Sequence, residues 1–142
     1  MTRKAKMQPI VILQRLQAAK SKKALEKVII DAWNSDSEEF FLGLEMSVDP
    51  NLKFGITSAP EIQDPDDGDP GSFTFNDFLA LTQSLSSAQL DEAEARRAVV
   101  EAALRCNVSE WNKWYRRILL KNLHHQLPMD VITKVLFRLT NR

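Results

Sequence analysis

Cysteine occurs once in the 142 residues, at Cys106, so no disulfide can close within the chain. A lone cysteine fits a reducing compartment. Glycine occurs four times, too few for a loop whose backbone amides cradle phosphates. Neither a P-loop nor a dinucleotide-binding glycine pattern is present, and G-x-S-x-G and H-E-x-x-H are absent as well. No apolar run approaches the roughly 20 residues that span a bilayer. The basic start, Met1-Thr2-Arg3-Lys4-Ala5-Lys6, precedes an apolar stretch at Pro9 to Leu13 that is too short for a secretion signal and is broken by Gln14, Arg15 and Gln17. These absences predict a soluble, cytoplasmic protein without a cofactor or metal, not catalytic by itself.

What the chain does contain is enough apolar residue for a core, 44% of the total, and 27% charge that cancels to a net of zero. The cancellation hides segregation. Residues 1–27 carry eight Lys/Arg and one acid, residues 28–95 one Lys and fifteen acids, and residues 96–142 ten Lys/Arg and three acids. Two basic ends flank an acidic middle, and folding can bring both ends to one face.

Helix signals recur and strand signals are weak. Pro9 opens a first helix to about Ala19, with Ile10, Leu13 and Leu16 inward. Ser21 caps a second, whose inner face is Leu25, Val28, Ile29, Ala32 and Trp33. Ser35 and Glu38 have capping-box spacing for a third, carrying Phe40, Phe41 and Leu44 and stopping before Asp49-Pro50. Thr74 and Asp77 open a fourth with Phe75, Phe78, Leu79, Thr82 and Leu85 inward. A fifth runs from about Asp91 to Arg105. Asn107 and Glu110 open a sixth. Pro128 and Asp130 open a last one with Val131, Ile132, Val135, Leu136 and Leu139 apolar. The prediction is an all-α bundle of about seven helices in a single domain, 1–142. An acidic Pro/Gly-rich loop interrupts it at about 59–72. That loop, "DPDDGDPG" from Asp64, fails the EF-hand pattern: Gly68 stands where an oxygen ligand belongs and Phe75 where the final glutamate belongs.

The densest chemistry lies in "WNKWYRRILLKNLHHQLP", Trp111 to Pro128. On ideal helix spacing, Trp111, Trp114, Tyr115, Ile118, Leu119 and Asn122 share one face, while Lys113, Arg116, Arg117, Leu120 and Lys121 share the other. The first set reads as core. The second holds four cations and no acid, which suits phosphate contact as well as a solvated helix back. Lys134 and Arg138, four apart on the last helix, extend the cationic set. His124 and His125 are adjacent, so on a helix they point about 100° apart and do not share a metal.

"LKFGI" (Leu52 to Ile56), "GSFTFNDFLAL" (Gly71 to Leu81), "WNKWYRRILLKNL" (Trp111 to Leu123) and "ITKVL" (Ile132 to Leu136) resemble, in order and spacing, the N-terminal helical domain of tailed-phage ATP-dependent DNA ligases. The resemblance spans most of residues 50–140. It implies an all-helical domain that grips duplex DNA on both sides of a nick through backbone and minor-groove contacts, without reading sequence, ahead of a nucleotidyltransferase domain and an OB-fold. It implies Arg116, Arg117, Lys121 and Asn122 as DNA-facing or positioning residues. Lys134 is a further candidate, and Lys113 joins them from the cationic face. A phage origin would put the protein in the host cytoplasm.

The sequence departs from the family pattern in two turns. His124-His125-Gln126-Leu127-Pro128 replaces a glycine-containing segment, and Ala88-Gln89-Leu90-Asp91-Glu92 replaces an Arg-Leu-Thr-Gly turn. The Lys-x-Asp-Gly motif whose lysine accepts AMP is absent. The alternative reading is therefore a free-standing phage protein on the same scaffold, repurposed to bind a host or defence protein.

Overall fold

The computed structural model describes residues 8–56, 59–61, 73–87, 89–106 and 108–141. Among them the fold is all-α, with no strand. Seven helices follow in order: α1 Pro9–Ala18, α2 Lys22–Asn34, α3 Glu38–Val48, α4 Phe75–Ser86, α5 Glu92–Leu104, α6 over residues 108–119, and α7 Met129–Thr140. A short 3-10 turn, Leu123–Gln126, stands between α6 and α7. No helix among the described residues is long and apolar enough to cross a membrane. The acidic loop and the Asn107 cap fall largely or wholly outside the described residues.

The chain forms two compact units, one of Met1–Leu44 with His124–Arg142 and one of Glu45–Leu123. In the first, α2 packs against both α1 and α7. Ser21 caps α2 by accepting from the Ala24 amide at 3.1 Å. Ile29 and Ala32 are buried, as their spacing requires. Trp33, expected inward, is 39% exposed and meets Phe41 edge-on at 5.6 Å. In α1 the buried residues are Ile12, Leu13 and Leu16, with Ile10 only partly covered.

The Ser35–Glu38 capping box does not form. Ser35 ends α2, its hydroxyl donating to the Ala32 carbonyl at 3.1 Å. Asp36 then turns left-handed at φ 57°. The Ser37 and Asp36 amides close back on the Ala32 and Trp33 carbonyls at 3.2 and 3.3 Å. This is a Schellman stop, and it moves the start of α3 to just after Ser37.

In the second unit, α4 packs against α5. Thr74 and Asp77 make the expected reciprocal capping box, at 3.0 and 3.1 Å. Asp91 and Glu94 make another at the head of α5, beyond the caps expected from the sequence. The Thr74 amide bonded to Asp77 is the main reason its carboxyl lies below the ordinary range, and the nearby Arg105 adds to it. Arg105 Nη2 donates to Asp77 at 3.1 Å and its guanidinium lies 5.4 Å from the Phe73 ring centre. Phe73, Phe78 and Tyr115 form an aromatic cluster, with Tyr115 5.2 Å from Phe73 and 4.7 Å from Phe78. That cluster anchors α6 by its aromatic side.

Candidate nucleic-acid interface

Helix α6 begins as α-helix at Val108–Glu110, widens to a π-helical turn at Trp111–Tyr115 and tightens again at Arg116–Leu119. The π turn is closed by the Arg116 amide on the Trp111 carbonyl, five residues back. Such turns carry one extra residue, so side chains after them are rotated relative to an ideal helix. Trp111, Trp114, Tyr115, Ile118 and Leu119 are all buried, as expected.

The opposite face is not the uniform solvated stripe that ideal spacing suggests. Lys113 is exposed, while Arg116 and Arg117 are half-buried. Arg116 donates through Nε to the Ala59 carbonyl at 2.9 Å, and its Nη1 lies 3.6 Å from Glu61. Trp111 Nε1 donates to the neighbouring Pro60 carbonyl at 2.7 Å. Two α6 side chains therefore hold the 59–61 segment against the helix. Arg117 makes no hydrogen bond or ion pair to a described side chain. Burial lowers its pKa most, the adjacent Arg116 lowers it further, and Glu61 works the other way. A guanidinium that is partly desolvated beside a second cation is suited to meeting an anion.

The helix ends earlier than its sequence pattern suggests. Lys121 is left-handed at φ 61°. Its amide bonds the Ile118 carbonyl and the Asn122 amide bonds the Arg117 carbonyl, both at 3.0 Å. This is the Schellman arrangement with lysine where glycine is usual. Lys121 and Asn122 thus lie beyond the helix, and the face assignments made for them on helical spacing do not hold. The Lys121 ammonium donates to the Met46 carbonyl at 2.7 Å and also to the Asp49 carbonyl. It lies 5.7 Å from the Phe54 ring centre. It occupies the negative end of the α3 dipole. Burial lowers its pKa, and the Asp49 charge opposes that. Asn122 Oδ1 is buried with no donor among the described residues.

Of the six candidate residues, Lys113, Arg116, Arg117, Lys121 and Asn122 fall on or just after α6. Lys134 is exposed on α7, in the other unit. Its helix neighbour Arg138 pairs with Glu26 at 3.1 Å. Residue spacing does not mark the Ala59, Pro60, Met46 and Asp49 carbonyls, because backbone acceptors carry no residue-type signal, nor Glu61, which lies far from α6 in sequence. No group of three or more His, Cys, Asp or Glu among the described residues is placed to hold a metal ion.

The structure thus defines an all-helical domain with a short, partly desolvated cationic surface. No family model and no curated protein matches the sequence. Two solved structures do. "Pmar-Lig_PreS3" is 28% identical with a TM-score of 0.80, over 94% of this chain and 30% of that one. "Pmar-Lig_Pre." is 29% identical with a TM-score of 0.79, over 92% of this chain and 29% of that one. The likeness supports a ligase-associated helical domain. The chain spans less than a third of the length of either.

Proposed function

We propose that this chain binds duplex DNA at a nick without reading its sequence, as the N-terminal domain of an ATP-dependent DNA ligase of the tailed-phage kind. The observation that carries the reading is the pairing of the Arg117 guanidinium, half-buried and without a hydrogen-bond partner among the described residues, with Arg116 and the exposed Lys113 on one helix. Such a surface suits phosphate oxygens and has no evident device for telling bases apart. The likeness to two ligase-named structures supports the same reading. Lys113, Arg116 and Arg117 are the phosphate-facing cations. Lys121 and Asn122 shape the surface, and Lys134, in the other unit, is a separate candidate for phosphate contact. The adenylation chemistry belongs to a Lys-x-Asp-Gly motif that these residues lack.

Fluorescence anisotropy with nicked and intact duplex across a salt series tests this. Binding that prefers the nicked duplex and weakens log-linearly with salt, by about 0.9 in slope per phosphate neutralised, is expected. No binding to nicked duplex at low salt rejects the reading.

A further inference from the structure

Glu61 is placed by the scaffold. The Ala59 and Pro60 carbonyls accept from Arg116 Nε at 2.9 Å and Trp111 Nε1 at 2.7 Å, so the backbone that carries Glu61 is held at two points on α6. Its carboxylate lies 3.6 Å from Arg116 Nη1. The pair is unequal: the Glu61 side chain is 55% exposed, while that of Arg116 is 22% exposed. The anion can therefore swing into solvent, while the guanidinium stays fixed by Ala59. A tethered carboxylate of this kind has a high effective concentration at its cation without binding it strongly.

We propose that Glu61 is a resident stand-in for a DNA phosphate on the Arg116–Arg117 pair, and that duplex binding there is an exchange of this carboxylate for a phosphate. The proposal rests on the duplex-binding reading for its biological ligand, but the exchange itself concerns any phosphate oxyanion. It has two consequences. In the free protein the two arginines are held apart from their own repulsion by a local counter-charge. In the bound protein that charge must leave, so the acid weakens binding and keeps the surface from holding stray anions.

Glu61→Gln removes the charge and keeps the shape. Its affinity for nicked duplex should rise roughly two- to five-fold, the range of an exposed ion pair. Glu101→Gln, the same change of charge at an exposed position on α5, controls for net charge. The excess gain of Glu61→Gln over Glu101→Gln should vanish when Arg116 is also changed to Gln. No excess over Glu101→Gln, or an excess that persists without Arg116, overturns the proposal. Titration with inorganic phosphate, followed on the Arg116 and Arg117 Nε–H resonances by NMR, separates this from failure of the duplex reading. With or without duplex binding, Glu61→Gln should saturate at lower phosphate than the parent chain. Superimposable curves, or no response in either protein, overturn the exchange.

Discussion

The ammonium of Lys121 sits 2.7 Å from the carbonyl oxygen of Met46, across seventy-five residues of sequence. The relationship turns a cation that belongs by pattern to an exposed stripe into the cap of a different helix. It also explains why a lysine is found in a left-handed backbone position that glycine would occupy more easily.

Replacing Lys121 separates those two roles. Lys121→Ala should destabilise the chain by about 2 kcal/mol through loss of charged hydrogen bonds to the end of α3. Lys121→Gly loses the same bonds but relieves the left-handed backbone, recovering roughly 1 kcal/mol after glycine's entropy cost. Urea melts should therefore rank parent, Gly variant and Ala variant in falling stability. An Ala variant as stable as the parent would show that the ammonium does not hold α3.

Neutralising cations should sort the candidate surface by role. Lys113→Gln and Arg117→Gln should each weaken duplex binding and reduce the salt slope by about 0.9, with little change in thermal midpoint. Arg116→Gln should lower the midpoint as well, since its guanidinium holds the 59–61 segment through Ala59. The experiment is a salt series paired with a melt for each variant. A slope unchanged by both Lys113→Gln and Arg117→Gln would remove those residues from the phosphate contacts.

The head of α4 makes a pH prediction. Asp77 has a lowered pKa in the fold, chiefly from the Thr74 amide. A carboxyl depressed in this way contributes stability above its unfolded pKa, and that contribution is lost as pH falls through the folded value. Stability should therefore fall on acidification below the ordinary carboxylate range, and Asp77→Asn should flatten that part of the profile. Thr74→Ala, which removes the other half of the box, should cost about 1 kcal/mol at neutral pH. Denaturant midpoints between neutral pH and the acid limb measure both.

Tryptophan emission tests the packing of α6. Trp111 and Trp114 are 0% and 2% exposed, against 39% for Trp33. Acrylamide should quench Trp33 strongly and the other two weakly, so Trp33→Phe should remove most of the quenchable signal. Added duplex should leave the α6 tryptophans unquenched, since buried rings are not available to stack on bases. Strong quenching by duplex that survives Trp33→Phe would contradict that packing.

Local signals in the chain determined much of the fold. Apolar spacing and the Ser21 and Thr74 caps located the helices because those interactions span three or four residues and need no partner elsewhere. The buried face of α6 was legible for the same reason, since Trp111, Trp114, Tyr115, Ile118 and Leu119 all stay buried despite the π turn. The cationic side was not. Whether an arginine or lysine faces solvent depends on which carbonyls approach it, and those belong to distant residues of any type: Ala59 for Arg116, Met46 and Asp49 for Lys121. The Schellman turns at Asp36 and Lys121 escaped the pattern as well, because no glycine marks them. Sequence alone thus determined which residues are apolar, where most helices start and that cations cluster after Trp111. Tertiary structure decided which of those cations are already engaged and which, among the described residues, are not, because a long flexible side chain takes its role from the acceptors that folding brings within its reach.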